Sequence, residues 1–328
     1  MRGFGQRWGH TVSYGNRIDS DYNGANGYRW FIKELPQAGK DGSGNIAIIG
    51  VVNDAIWFNK SGANYIARYF SQETLSEDTT AKEFIFTDTR GQAVKFFSYD
   101  ASIAAAKQGQ FKSLTDPYGN TWTPSYDVNN RVTQFIMGSG TTTGYYYTYY
   151  TSGNNAGKLQ YVTLQRGSTN VARTEFQYYD TGDTHGNLGD LKLAIDQTWS
   201  GSAWNELGRT HNRYYKTNTG VEFVRGLKMT LRPEGYARAV AASLDPLTAT
   251  DSELTPYADH TFEFNNSTDK RVGKEVVNGT KSPDTSSSSS TTSYGYGYTP
   301  AAFTGANGWT MKNVETLPGG DTNTVYSN

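Results

Sequence analysis

Asp180-Thr181-Gly182 is the triplet that aspartic peptidases place at a catalytic carboxylate. That chemistry needs two carboxylates sharing one proton. No second Asp-Thr/Ser-Gly triplet occurs, so such a dyad could form only across a dimer. Asp180 also completes a Tyr179-Asp180 pair, and it reads as a turn residue. Asp19-x-Asp21-x-Asn23-Gly24 matches the first half of a calcium loop, but Trp30 stands where the bidentate Glu belongs. It reads as a polar surface turn. The four histidines, His10, His185, His211 and His260, have no metal-like spacing, and His185 sits in the turn-like Thr184-His185-Gly186-Asn187. Among 31 Asp and Glu no pair stands out as the acid and base of a glycosidase. There is no phosphate-binding Gly loop, no Gly-x-Ser-x-Gly elbow and no zinc signature. No catalytic, cofactor-binding or metal-binding residue is assigned, and the chain is not expected to be an enzyme.

Two surface chemistries remain. Asn59-Lys60-Ser61, Asn265-Asn266-Ser267, Asn266-Ser267-Thr268 and Asn278-Gly279-Thr280 match the N-glycosylation triplet. Tyr145, Tyr146 and Tyr147, with Tyr149 and Tyr150, place aromatics on both faces of a strand. One face could stack on sugar rings. The favoured reading is a cross-strand aromatic ladder that holds a sheet together.

Composition points to the elements that carry these residues. The chain has 328 residues, a net charge of -1 and no Cys, so disulfides contribute nothing and no attraction to nucleic acid follows. Charged residues are 19%, below the roughly 25% of an average domain. The difference is made up by 36 Gly, 24 Tyr and many Thr, Ser and Asn, a composition of short strands and turns. Residues 1–20 hold no apolar run and are not a signal peptide, and no apolar window is long enough to span a membrane as a helix. The chain is expected to be a piece of a longer polypeptide.

Residues 114–137 give the clearest local pattern. Asp116-Pro117-Tyr118-Gly119-Asn120 is a turn, since Pro117 presets φ, Gly119 accepts positive φ and Asp116 can bond the backbone ahead. Residues 120–126 read as a strand, Asp127-Val128-Asn129-Asn130 as a second turn, and 131–137 as a strand led by Val132. Before this unit, 29–35, 46–52, 55–58 and 64–71 read as strands, with turns at 37–44 and 59–62 and a polar connector over 71–82. Units of this kind begin to show from Glu83, and placing each by its apolar residue gives Phe111, Val132, Leu159, Leu191, Leu227 and Val272. Their steps of 21, 27, 32, 36 and 45 residues, by subtraction, drift too much for a fixed-period solenoid. Stacked hairpins tolerate such drift, because loop length costs little. Residues 101–108, 235–243 and 251–258 are short helix candidates, with Thr250 able to cap the last. Residues 282–293 are Ser-rich and are expected to form a mobile surface loop. Pro318-Gly319-Gly320-Asp321 is expected to close a terminal hairpin.

Asp-Pro-x-Gly-Asn followed by Tyr-Asp-x-x-x-Arg-hydrophobic-Thr, at 116–133, resembles one repeat of the YD-repeat (rearrangement-hotspot, Rhs) family of bacterial toxin shells and teneurins. The family's commonest form has Gly before the Arg where this chain has Asn130, which also tolerates left-handed backbone angles. The resemblance implies an all-β fold in which antiparallel hairpins stack in a continuous spiralling sheet, with one or two short helices. It implies a β-shell on a secreted or cell-surface protein. Residues 1–82 are expected to form an N-terminal β meander and 83–328 the repeat region.

The expected function is a structural segment that encloses or displays other domains, so its partner would be the rest of a longer polypeptide or its cargo. A carbohydrate-binding adhesin and a self-associating fibre with unpaired sheet edges are the alternatives. No cofactor, nucleic acid or membrane-spanning segment is expected. The core motif with self-cleaving Asp residues that cargo-releasing shells carry is not found, so cleavage is not expected of this chain.

Overall fold

The computed structural model describes residues 9–16, 22–50, 55–137, 142–278, 289–297 and 311–327. Asp19 and Asp21 of the calcium-like turn, Val51 to Asp54, and Gly279 to Asp284 lie outside these residues. The fold is all-β and antiparallel, as the composition predicts. β1 (Val12–Tyr14) pairs with β4 (Trp30–Ile32) around the small β2 (Asn23–Gly24) and β3 (Gly27–Tyr28). β5 (Gln37–Lys40), β6 (Ile46–Ile49), β7 (Ile56–Ser61) and β8 (Asn64–Ala67) form a four-stranded meander. β9 (Thr74–Asp78), β10 (Glu83–Thr87), β11 (Ala93–Phe97), β12 (Phe111–Thr115) and β13 (Thr121–Trp122) form a five-stranded one.

A 13-stranded sheet follows, in which spatial order is chain order. It begins with β14 (Pro124–Tyr126), β15 (Val132–Met137), β16 (Thr143–Tyr149), β17 (Leu159–Arg166), β18 (Thr169–Tyr178), β19 (Leu191–Trp199) and β20 (Trp204–Tyr214). After β21 (Leu227–Leu231) come the helices α1 (Pro233–Ala241) and α2 (Asp251–Leu254). The sheet then closes with β22 (His260–Phe264), β23 (Val272–Asn278), β24 (Ser289–Gly297), β25 (Met311–Thr316) and β26 (Thr322–Ser327).

The chain divides into two compact units, Met1–Glu175 with Gln197–Asn205, and Phe176–Asp196 with Glu206–Asn328. The core of the first gathers Ala38, Ile46, Phe58, Phe84, Phe96, Phe111 and Phe135, from alternate positions of successive strands. In the second, Met229 and Leu231 of β21 pack against Ala239 of α1, Leu254 of α2 and Ala258. Pro233 opens α1, and Thr250 caps α2 in a full capping box with Glu253. Residues 105–107 form a single 3₁₀ turn, too short a stretch to hold more.

Several expectations are corrected. Residues 120–126 are not one strand: Pro124 has no N–H for the ladder, and β13 and β14 belong to different sheets. The turn expected at 37–44 is confined to 41–44, because Gln37–Lys40 pairs with β6. The turn expected at 59–62 is shorter too, since Asn59 to Ser61 extend β7. The connector over 71–82 contains β9, whose backbone pairs with β10 and whose one apolar residue, Leu75, is buried in the core. The strand expected over 64–71 stops at Ala67, because Tyr69 and Phe70 take φ of 58° and 60°. The Ser-rich loop over 282–293 is overturned at its C-terminal end. Ser289 to Ser293 lie in β24, paired with Val277, Val276 and their neighbours. Backbone pairing needs no apolar side chain, and Thr291 and Thr292 suit a strand.

Candidate functional site

A four-residue turn anchored by Asp recurs along the first unit. At Asp41, Asp88, Asp116 and Asp127 the carboxylate Oδ1 accepts from the backbone N–H groups two and four residues ahead, each at 2.9 Å. The fourth residue is in the left-handed region, as Gly44, Gly91, Gly119 or Asn130. The fifth side chain binds back to Oδ2 from Asn45, Asn120 and Arg131, at 2.8 Å. The Asp116 carboxyl is held below its usual range by the Asn120 amide, and these N–H groups add to that effect.

The same backbone closure also spans longer loops. In the hairpin closed at Tyr150, the Gly157 amide donates to the Tyr150 carbonyl at 2.8 Å, and the Tyr150 amide to the Lys158 carbonyl at 2.9 Å. The pattern repeats at Phe97 with Gly109 and Gln110, at Tyr179 with Gly189 and Asp190, and at Tyr215 with Arg225 and Gly226. Phe111, Val132, Leu159, Leu191, Leu227 and Val272 each open a strand two residues after a positive φ, at Gly109, Asn130, Gly157, Gly189, Arg225 and Lys270. At the first five the enclosed loops run from 128–130 to 98–109 while the closure stays the same; before Val272 the Lys270 amide donates instead to the Asn266 carbonyl. At Gly109 a Cβ would lie 2.1 Å from the Ala38 carbonyl, so this closure admits only Gly.

A tyrosine links three of these closures to the hairpin before them. Tyr149 Oη donates to the carbonyl of Val132, and Tyr214 Oη to that of Leu191, each at 2.8 Å. Tyr126 Oη donates in the same way to the carbonyl of Phe111. Tyr126, Tyr149 and Tyr214 each follow a register shift and pair with the leading apolar residue of the next strand. Burial raises the phenols of Tyr126 and Tyr149 well above their ordinary value, so they stay protonated donors. In the tyrosine run, Tyr147 and Tyr149 are buried, whereas Tyr145, Tyr146 and Tyr150 are half-buried.

The second unit holds a polar cluster that the sequence does not reveal. Arg213 is fully buried; its Nη1 donates to Asp251 Oδ1 at 2.6 Å, and its Nη2 to the carbonyls of Pro246 (3.0 Å) and Ala249 (2.6 Å). Lys228 Nζ lies 2.6 Å from Asp251 Oδ2, and His185 Nδ1 3.6 Å from Oδ1. Burial would raise the Asp251 carboxyl, but the hydrogen bonds from Lys228 and Arg213 outweigh it and hold it low. Tyr179 Oη donates to the Asn212 carbonyl at 2.8 Å and sits 3.1 Å from His211 Nε2. Burial, with the Arg213 charge, lowers His211 to about 3. A Cβ on Gly186 would meet the Tyr179 ring at 2.2 Å, so the loop through His185 lies flat against that ring. Asp251 is therefore committed to cations that tie the 245–251 loop to β20 and β21, which makes the cluster a clamp.

The other sequence candidates are dispersed. His10 bonds Asn26 at 3.1 Å and is lowered to about 4 by burial. His260 contacts Glu275 at 2.8 Å across β22 and β23. Asp180 lies in an exposed turn, its Oδ1 accepting from the Thr181 amide. Among the described residues no three acidic or His groups converge as a metal site, and no helix is long and apolar enough to cross a membrane.

No protein-family description matches the sequence, and no curated protein matches it. Among solved structures, the chain is similar to a porin-like protein from Bacteroides uniformis, at 11% identity and a TM-score of 0.23, over 89% of this chain and 91% of that one. At that level the likeness carries no argument about fold or function. The repeated closure, which belongs to this chain itself, is the feature that bears on function.

Proposed function

We propose that this chain is a structural segment of a secreted or cell-surface YD-repeat protein. Its hairpins would stack into a shell or scaffold that encloses or displays other domains of a longer polypeptide. One observation carries the reading. The closing bonds, the left-handed residue and the leading apolar residue recur, while the loops between them vary in length. That is the economy of a scaffold, in which backbone pairing sets the shape and loop sequence is free. The Tyr126-Asp127 unit supplies both parts at once, since Tyr126 bonds back to Phe111 and Asp127 builds the turn.

The test is electron microscopy and protease digestion of the protein together with the polypeptide that adjoins it in its reading frame. A discrete hollow particle whose adjoining domain resists protease supports the reading. A filament, or an adjoining domain digested as fast as it is when free, contradicts it.

A further inference from the structure

Hairpin stacking does not account for one face of the first unit. Tyr161 lies in β17, Arg173 in β18, Gln197 and Trp199 in β19, and Trp204 at the start of β20. The Arg173 guanidinium is sandwiched between two rings, 4.2 Å from the centroid of Tyr161 and 4.4 Å from that of Trp204. Its Nε donates to Gln197 Oε1 at 2.5 Å. Trp204 in turn contacts Trp199, with centroids 5.0 Å apart and planes tilted by 56°. The tip between the two tryptophans is tied by the Ser200 amide and hydroxyl, which both donate to the Ala203 carbonyl at 3.0 Å. All five side chains remain half-buried, so their outer edges reach solvent.

The chemistry of that outer edge is one-sided. Nε of the guanidinium is committed to Gln197, and Nη1 and Nη2 form a fork held between the two rings. Among the described residues, Nη1 and Nη2, the Gln197 amide nitrogen and both indole N–H groups have no protein acceptor. Such a set offers mainly donors and aromatic faces, since its Gln197 oxygen is already engaged by Arg173. A planar carboxylate matches the fork bidentately. An indole face beside it suits the C–H face of a pyranose ring. We infer that this face binds a carboxylated sugar unit of an acidic carbohydrate, its carboxylate on Arg173 and its ring against Trp199. The acid beside it is Glu175, paired with Tyr161 across the strands, and its charge opposes the ligand's.

Calorimetric titration of the whole chain tests this, with an oligogalacturonate, a neutral cello-oligosaccharide and dextran sulfate as probes. The oligogalacturonate is expected to bind, and more weakly as salt rises. Arg173→Gln and Trp199→Ala are expected to weaken it about tenfold or more, and Glu175→Gln to tighten it several-fold. Arg173 also packs its neighbours; if Arg173→Gln fails to fold, the peripheral Trp199→Ala and Glu175→Gln still decide. No binding of the oligogalacturonate, or equal binding of the neutral probe, overturns the inference. So does binding of dextran sulfate alone, or an affinity that none of these substitutions changes.

Discussion

The Tyr149 hydroxyl donates to the carbonyl of Val132 at 2.8 Å, from the end of one strand to the first residue of the strand before it. The Tyr214 hydroxyl bears the same relation to Leu191. Each bond ties a hairpin's closure to its predecessor with a side chain that is itself buried. Removing either hydroxyl while keeping the ring is expected to cost about 1 kcal/mol. Tyr149→Phe and Tyr214→Phe share no partner, so their effects should add in the double variant. Urea midpoints measure this, and a double variant as stable as the original chain would show that the hydroxyls do not lock the hairpins.

Asn130 holds φ 59° in the turn built by Asp127. Gly occupies the same place in the Asp41, Asp88 and Asp116 turns. Asn130→Gly is expected to be neutral or slightly stabilising, because no Cβ then meets the carbonyl. Asn130→Val should cost about 1–2 kcal/mol, since a β-branched residue resists this conformation. Thermal melting ranks the variants, and a Val variant as stable as the Gly variant would contradict the assignment.

Arg213→Met leaves Lys228 with Asp251 but strips the Pro246 and Ala249 carbonyls of their buried donor. A loss of about 3–5 kcal/mol is expected, as for breaking a buried pair from one side. Proteolysis should then cut first within 245–251. Unchanged resistance there would mean that the loop is held by its apolar contacts alone.

How much of this was legible in the sequence depended on whether a signal was local. Asp116, Gly119 and Asp127 could be read because turn chemistry lies within five residues. The drifting series from Phe111 to Val272 could be read because each member opens a strand. β24 was missed because a run of Ser gives no alternation to detect, and β9 because Leu75 is its one apolar residue. The break at Pro124 follows from the missing N–H, yet alternation in Thr121, Trp122 and Thr123 masked it. The Asp251 clamp was invisible for another reason. Its members, from Tyr179 to Asp251, meet only through sheet register and loop placement, which no short window encodes.

His211 and His10 give stability a pH dependence of definite sign. In the unfolded chain each binds a proton near the ordinary value of about 6.5. In the folded chain burial lowers them to about 3 and about 4. Between these values the unfolded state holds more protons, so stability falls as pH drops below about 6.5. The slope is about 1.4 kcal/mol per pH unit for each histidine. Unfolding measured from pH 7 to 5, above the ordinary carboxylate range, reads this effect, to which His185, also lowered by burial, adds in the same direction. His211→Gln should lower stability at pH 7 and flatten the slope by one histidine's share. An equal slope would place His211 in contact with solvent.

Native-state amide hydrogen exchange tests the repeated closure most directly. The closing amides of Gly109, Asn130, Gly157, Gly189 and Arg225 are expected to be protected as strongly as the strands that they open, despite lying in loops of different length. The tip amide of Gly201 should exchange far faster. Closing amides that exchange as fast as that tip would contradict the account, because the hairpins would then lack the common lock on which the scaffold reading rests.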